Sequence, residues 1–266
     1  MNIIQLIKDI EKVDTEAADR LEFSRRKVFK HLGSMGKKMI LTAAPFALGT
    51  VFNKASAQGS QIQQVLDFAL TLEHLENEFY ITALNKSGLI PQTDRAIFEQ
   101  IQKHEQAHVY FLSTALGSAA SPKPTFDFTG GNGSGNGPYA AIITNNDYQL
   151  FLTVAQALED TGVRAYKGQA ANLMSDDTVL TQALQIHSVE ARHAAEVRRL
   201  RNLKGWIIGD QANGAPQPVY NGEANTTQEG VNIASFTGID ADEASAAFDE
   251  PLTKQQVLDI ADPFIV

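Results

Sequence analysis

Two segments of this 266-residue chain set a glutamate three positions ahead of a histidine within an otherwise apolar pattern. "KHEQAHVYFL" carries Glu105 and His108, and "HSVEARHAAEV" carries Glu190 and His193. On a helix, positions i and i+3 share a face with about 5–6 Å between Cβ atoms, so each pair presents one carboxylate and one imidazole to the same point. A carboxylate facing a core is costly unless something pairs with it. Both pairs have companions upstream. "LEHLENEFY" ends at Tyr80 and "LEDTGVRAY" at Tyr166, and aligning the two tyrosines sets Glu73 opposite Glu159. Glu73 precedes Glu105 by 32 residues and Glu159 precedes Glu190 by 31. The chain therefore repeats one unit twice, each copy reading Glu … Glu-x-x-His.

Four carboxylates and two imidazoles converging from four helices are the ligand set of a di-iron or di-manganese carboxylate centre. Bridging glutamates hold two ions a few ångströms apart, and each histidine caps one. The ions neutralise carboxylates that could not all stay ionised in a core. The expected metal ligands are Glu73, Glu105, His108, Glu159, Glu190 and His193, the cofactors are two Fe or two Mn ions, and no further catalytic residue is assigned. A single Glu-x-x-His is weak evidence, because helices are rich in glutamate and most such pairs are solvated neighbours. The specificity comes from the repeat. The blander reading is a bundle whose polar core positions are satisfied by hydrogen bonds.

Other residues near these motifs carry weaker signals. Glu76, one turn after Glu73, is an alternative or additional ligand. Its counterpart in the repeat is Gly162, which favours Glu73. His74, His104 and His187 fall in the same segments and read as surface or supporting histidines; His104, next to Glu105, is expected to turn away from the site. Tyr80 and Tyr166 either hydrogen-bond ligands, stand near the ions as redox-active phenols, or pack with a satisfied hydroxyl.

The elements that must position these residues are long helices. Residues 61–86 place Ile62, Val65, Leu66, Ala69, Leu72, Leu75, Phe79 and Ala83 on one stripe, a rod of about 39 Å closed by Gly88 and Pro91. A second helix is expected from Thr93, as N-cap, to Leu116, and a third from 146 to 174. The fourth is capped by Ser175 and ends near Leu203. The first and second connect through about six residues and the third and fourth through almost none, giving two antiparallel hairpins. Residues 117–144 are far too long for a tight turn and imply one long crossover. Within them "GGNGSGNGP" lacks the Lys-Ser/Thr and preceding strand of a phosphate-binding loop, and reads as flexible linker. Residues 205–266 hold ten acids and one lysine and read as a tail draped on the bundle, with a final short helix in "TKQQVLDIA".

Composition removes several alternatives. There is no cysteine, hence no disulfide, thiolate-bound zinc, rubredoxin-type iron or thiol nucleophile. Residues 1–57 carry ten Lys/Arg against six Asp/Glu, leaving twelve against twenty-five, a net −13, for 58–266. That argues against nucleic acid or an anionic membrane as partner. "SRRKVFK", then the uncharged "MILTAAPFALGTVF", then Ala55-Ser56-Ala57 describe an export signal of twin-arginine type over 1–57, cleaved after Ala57. Its apolar run is shorter than the roughly 20 residues of a membrane span. The alternative for this region is an amphipathic helix followed by a buried one.

"LTLEHLENEFY", "HEQAHVYFL", "ALEDTGVRAY" and "VEARHAAEVRRL", with "PKPTFDF" and "FDEPLTKQQVLDIADPFI", resemble the ferritin-like superfamily. More specifically, they resemble its exported branch, grouped with desiccation-related and stress-response proteins. The resemblance covers most of 60–266. It implies an all-α, ferritin-like four-helix bundle over 58–204 with an irregular C-terminal extension over 205–266, and the metal ligands named above. The activity it suggests is Fe(II) oxidation, or consumption of O2 or peroxide, in a periplasmic or extracellular stress protein. A scaffold protein of the envelope without catalysis is the alternative. Iron storage in a shell ranks lower, because the crossover and tail would crowd shell contacts. A homodimer is envisaged, though no pattern fixes it.

Overall fold

The computed structural model describes residues 56–266; the export signal expected over 1–57 falls almost wholly outside the described residues. Four long helices dominate: α1 (Ser56–Asn85), α2 (Gln92–Leu116), α3 (Tyr148–Gln169) and α4 (Asp177–Leu200). Among the described residues no helix is long and apolar enough to cross a membrane.

The helix boundaries follow local chemistry. Gly88, at φ 79°, turns the chain between α1 and α2 in a conformation that strains any residue with a Cβ. The expected Thr93 cap is not used: α2 starts at Gln92 behind Pro91, whose carbonyl accepts from the amides of Asp94 and Arg95. Proline suits this place because its fixed φ leads into a helix. Asp147 caps α3 by accepting from the amide of Leu150. Asp176, not Ser175, caps α4, accepting from the amides of Thr178 and Val179. A carboxylate satisfies those donors and also meets the positive end of the helix dipole. The third helix stops at Gln169 and tightens into a 3-10 turn, Ala170–Leu173.

α1 packs with α2, and α3 with α4, as antiparallel hairpins. Tyr80 of α1 reaches Glu159 of α3, while Tyr166 of α3 reaches Glu73 of α1. The two helices therefore run in opposite directions, and α2 runs parallel to α3. A chain leaving the end of α2 must then travel the bundle's length, about 38 Å for 25 residues, to start α3. That is the physical reason for the long crossover.

The glycine-rich part of this crossover is structured and is not a flexible linker. The buried carboxylate of Asp127 accepts from the Thr129 amide and hydroxyl through Oδ1 and from the Gly133 and Gly135 amides through Oδ2. The Asn132 amide donates to the Pro263 carbonyl, and Tyr139 stacks on Phe264 at 5.5 Å. Glycines leave amides free to converge on one carboxylate, the feature that composition alone reads as slack.

The C-terminal extension lies along α3. Gly168 admits it: a Cβ there would stand 1.9 Å from the carbonyl oxygen of Leu252. Arg164, buried on α3, donates to the backbone carbonyls of Val219, Asn221 and Glu250 and pairs with Glu223 at 2.7 Å. Tyr220 enters further, donating to Asp160, which Arg198 of α4 also binds through two nitrogens. Helix α5 (Lys254–Ala261), closed at its start by a Thr253–Gln256 capping box, packs against α3.

Two apolar clusters fill the bundle. One is aromatic at its centre (Phe79, Phe98, Phe151) and the other aliphatic (Leu66, Leu70, Leu112, Ile186). On α2, Phe98 and Ile101 belong to the first and Val109 and Leu112 to the second. Between them lies a polar layer.

Candidate metal centre

Glu73 from α1, Glu105 and His108 from α2, Glu159 from α3, and Glu190 and His193 from α4 all meet in that layer, and all six are buried. Nδ1 of His108 stands 3.0 Å from Glu73 Oε2, 3.2 Å from Glu105 Oε2 and 3.2 Å from Glu190 Oε1. Nδ1 of His193 stands 2.8 Å from Glu105 Oε1 and 3.3 Å from Glu159 Oε2. Two groups result whose ligand atoms lie within 4.8 Å of one another: Glu73, Glu105, His108 and Glu190; and Glu105, Glu159, Glu190 and His193. Glu105 and Glu190 belong to both. The arrangement has two shared carboxylates, and a Glu–His pair at each end.

The layer is not a satisfied hydrogen-bond network. Glu105 Oε1, Glu159 Oε2, both carboxylate oxygens of Glu190 and His193 Nδ1 are buried without a hydrogen-bond partner. His193 Nδ1 and Glu105 Oε1 are close enough to bond, yet their alignment is not that of a hydrogen bond. These atoms crowd a common space without an aligned hydrogen bond, although several stand within ion-pair distance of an imidazole. A buried polar group left without a hydrogen bond costs roughly 1–3 kcal/mol. A cation does fill such a space. Two divalent ions supply +4 against the −4 of four ligand carboxylates, with both imidazoles neutral, so the donor set fits a dinuclear centre in charge as well as in type.

Electrostatics point the same way. Burial raises Glu105 to about 7, against His108 and His193, which pull it down. Burial and the surrounding carboxylates push Glu190 well above the usual range. Glu73 goes the other way: burial would raise it, but the hydrogen bond and charge of His108 hold it below its ordinary value. Burial disfavours the His193 imidazolium, yet Glu159 and Glu105 outweigh it and raise its pKa to about 11. His108 is raised by Glu105, Glu190 and Glu73 against the same opposition.

The tyrosines act across the repeat. Tyr80 donates to Glu159 Oε1 and Tyr166 to Glu73 Oε1, each at 2.5 Å. Of the three roles open to them, the hydrogen bond to an end glutamate is the one the structure contains. Each bond occupies one oxygen and fixes the rotamer of the other, as supporting groups around metal ligands do.

Glu76 is buried beside the six. Burial, then Glu190, Glu159, Glu105 and Glu73, push its pKa well above the usual range. Gly162 makes room for it: a Cβ at that position would stand 3.1 Å from both Glu76 Oε1 and Glu190 Oε2. Glu76 belongs to neither ligand group, and its environment favours the neutral acid. His104 does not turn away. Its Nδ1 lies 2.9 Å from His193 Nε2, the two rings stack at 5.1 Å, and its Nε2 faces Gln100 at 2.7 Å. His193 thus has its inner nitrogen toward the carboxylates and its outer one held by a second imidazole. The position matching His104 in the repeat is Val189, so this support exists on one side only. His74 and His187 are half-buried, outside both ligand groups, and burial lowers the pKa of each.

A ferritin-like domain family matches residues 62–203, a span that takes in all six residues. No curated protein matches the chain.

Proposed function

We propose that this chain, which belongs to the ferritin-like domain family, holds two divalent iron or manganese ions and uses them to oxidise Fe(II) or to consume oxygen or peroxide. The observation carrying this reading is the pair of ligand groups that share Glu105 and Glu190, with buried ligand atoms that make no hydrogen bond. In the proposed assignment Glu73 and His108 would hold one ion and Glu159 and His193 the other, with Glu105 and Glu190 available to both. When bound, such a pair of ions supplies reversible electron transfer to an oxygen-containing substrate.

The chain's own residues supply the rest. The flanking apolar clusters exclude water and strengthen every charge interaction in the layer. Tyr80 and Tyr166 lock the end glutamates, and His104 orients His193. Glu76, buried beside the six, brings a further carboxyl group into the layer, and burial together with the neighbouring carboxylates raises its pKa. Export and a role in stress protection follow from the resemblance of the sequence to the exported branch, and they belong to the same proposal.

The experiment is to load the chain anaerobically with Fe(II), admit oxygen or peroxide, and follow consumption of each with an electrode and iron oxidation by absorbance. Consumption proportional to bound iron supports the oxidoreductase reading. Bound iron that neither consumes oxygen or peroxide nor becomes oxidised faster than free Fe(II) contradicts it.

A further inference from the structure

The twofold relation between the hairpins fails beyond the two tyrosines. Tyr80 stands in an aromatic wall, with the rings of Phe79, Phe98 and Phe151 at 5.6, 5.9 and 6.4 Å. Beside Tyr166 there is instead a cavity of about 20 Å³, lined by small and aliphatic side chains that include Leu66, Ala69, Leu72 and Ala183. Apart from Tyr166 and Gln169 its lining is apolar. A dry pocket of this size accepts one small molecule, and a water there would lack the two to four polar partners it needs. Val65 and Gln169 line this cavity and also an outer polar recess of about 340 Å³, formed with Gln61, Asn172 and Lys254. At the inner end, the Tyr166 hydroxyl is 2.5 Å from Glu73.

We propose that this cavity binds a small apolar molecule of the dioxygen class and delivers it, past Val65 and along Tyr166, to the Glu73–His108 half of the centre. An apolar diatomic loses nothing by leaving water for such a lining. Hydrogen peroxide loses its hydrogen bonds to water there and regains few of them. Oxygen, and not peroxide, is therefore the substrate this path selects. Tyr80 is instead packed among aromatic rings, so the path proposed here serves the Tyr166 end of the centre. The delivery role rests on the dinuclear reading above; the binding site does not.

The test uses xenon, an apolar probe of similar bulk. Crystals of the full chain under xenon pressure should show one xenon atom in contact with Ala69 and Ala183. Two variants narrow the path at different points: Val65→Phe at its mouth and Ala183→Val inside. Each should lose the xenon, keep the metal content of the wild type, and consume oxygen several-fold more slowly once loaded with Fe(II), with peroxide consumption unchanged. A wild-type crystal without xenon at this place overturns the binding site. A folded variant that excludes xenon and still consumes oxygen at the wild-type rate overturns the delivery role. A wild-type chain that binds no metal overturns the delivery role together with the dinuclear reading, while xenon alone then decides the site.

Discussion

Removing metal should invert the usual pH dependence of stability in this protein. In the metal-free chain the native state holds protons that the unfolded state has already released. Glu105 titrates near 7 when buried against an ordinary 4.5, and His193 near 11 against 6.5. Both shifts have the same sign. Glu105 contributes stability that is lost as pH rises from its unfolded value through 7. His193 contributes stability that is full below 6.5 and declines steadily above it. Between pH 5 and pH 8 the linkage relation gives a loss of roughly 2–3 kcal/mol from each of the two groups. Together these lower Tm by on the order of 10 °C for a domain of this size. Calorimetry on chelator-treated protein at the two pH values reads this directly. The metal-loaded protein should show the reverse, because its ligands must be deprotonated and acid releases the ions. A metal-free chain that is equally stable, or more stable, at pH 8 would refute the proton assignment in the polar layer.

Three further outcomes follow from the geometry. His104→Ala should weaken the site built on His193 by about 10–100-fold and spare the one built on His108; anaerobic Co(II) titration would then resolve two unequal steps, and an equal loss at both sites would contradict a role through His193. Glu76→Gln, which replaces a neutral acid by a neutral amide of the same shape, should leave metal stoichiometry at the wild-type value; loss of an ion would make Glu76 a ligand. Arg164→Met should destabilise the protein by about 3–5 kcal/mol in urea unfolding, because it strands buried Glu223; an unchanged midpoint would mean that the C-terminal extension is held by other contacts.

The metal-site candidates were legible in the sequence because helical geometry is regular. Glu105 and His108 share a face on any α-helix, and the repeat at 32 and 31 residues needed no structure to be seen. His104 was misread by the same regularity. One residue from Glu105 is about 100° around α2, which suggested a side chain turned away, yet α4 lies on that side and brings His193 within reach. Contacts between helices are not encoded in the period of one of them. The clasp of the extension by Arg164 was illegible for a related reason: its partners include backbone carbonyls 55 to 86 residues away, which carry no residue signature. In the crossover, glycines that would suggest slack instead deliver amides to Asp127. The caps differed where several polar residues stood together, Ser175 beside Asp176, and the carboxylate prevailed.

The most direct test of the dinuclear centre is metal per chain. Protein covering residues 58–266, produced with iron and manganese supplied, would be analysed by elemental mass spectrometry beside a Glu105→Ala/Glu190→Ala variant that lacks both shared carboxylates. The account predicts two iron or manganese ions per wild-type chain and their loss in the variant. Near-zero metal in a folded wild-type chain that also refuses Fe(II) added without oxygen would contradict it.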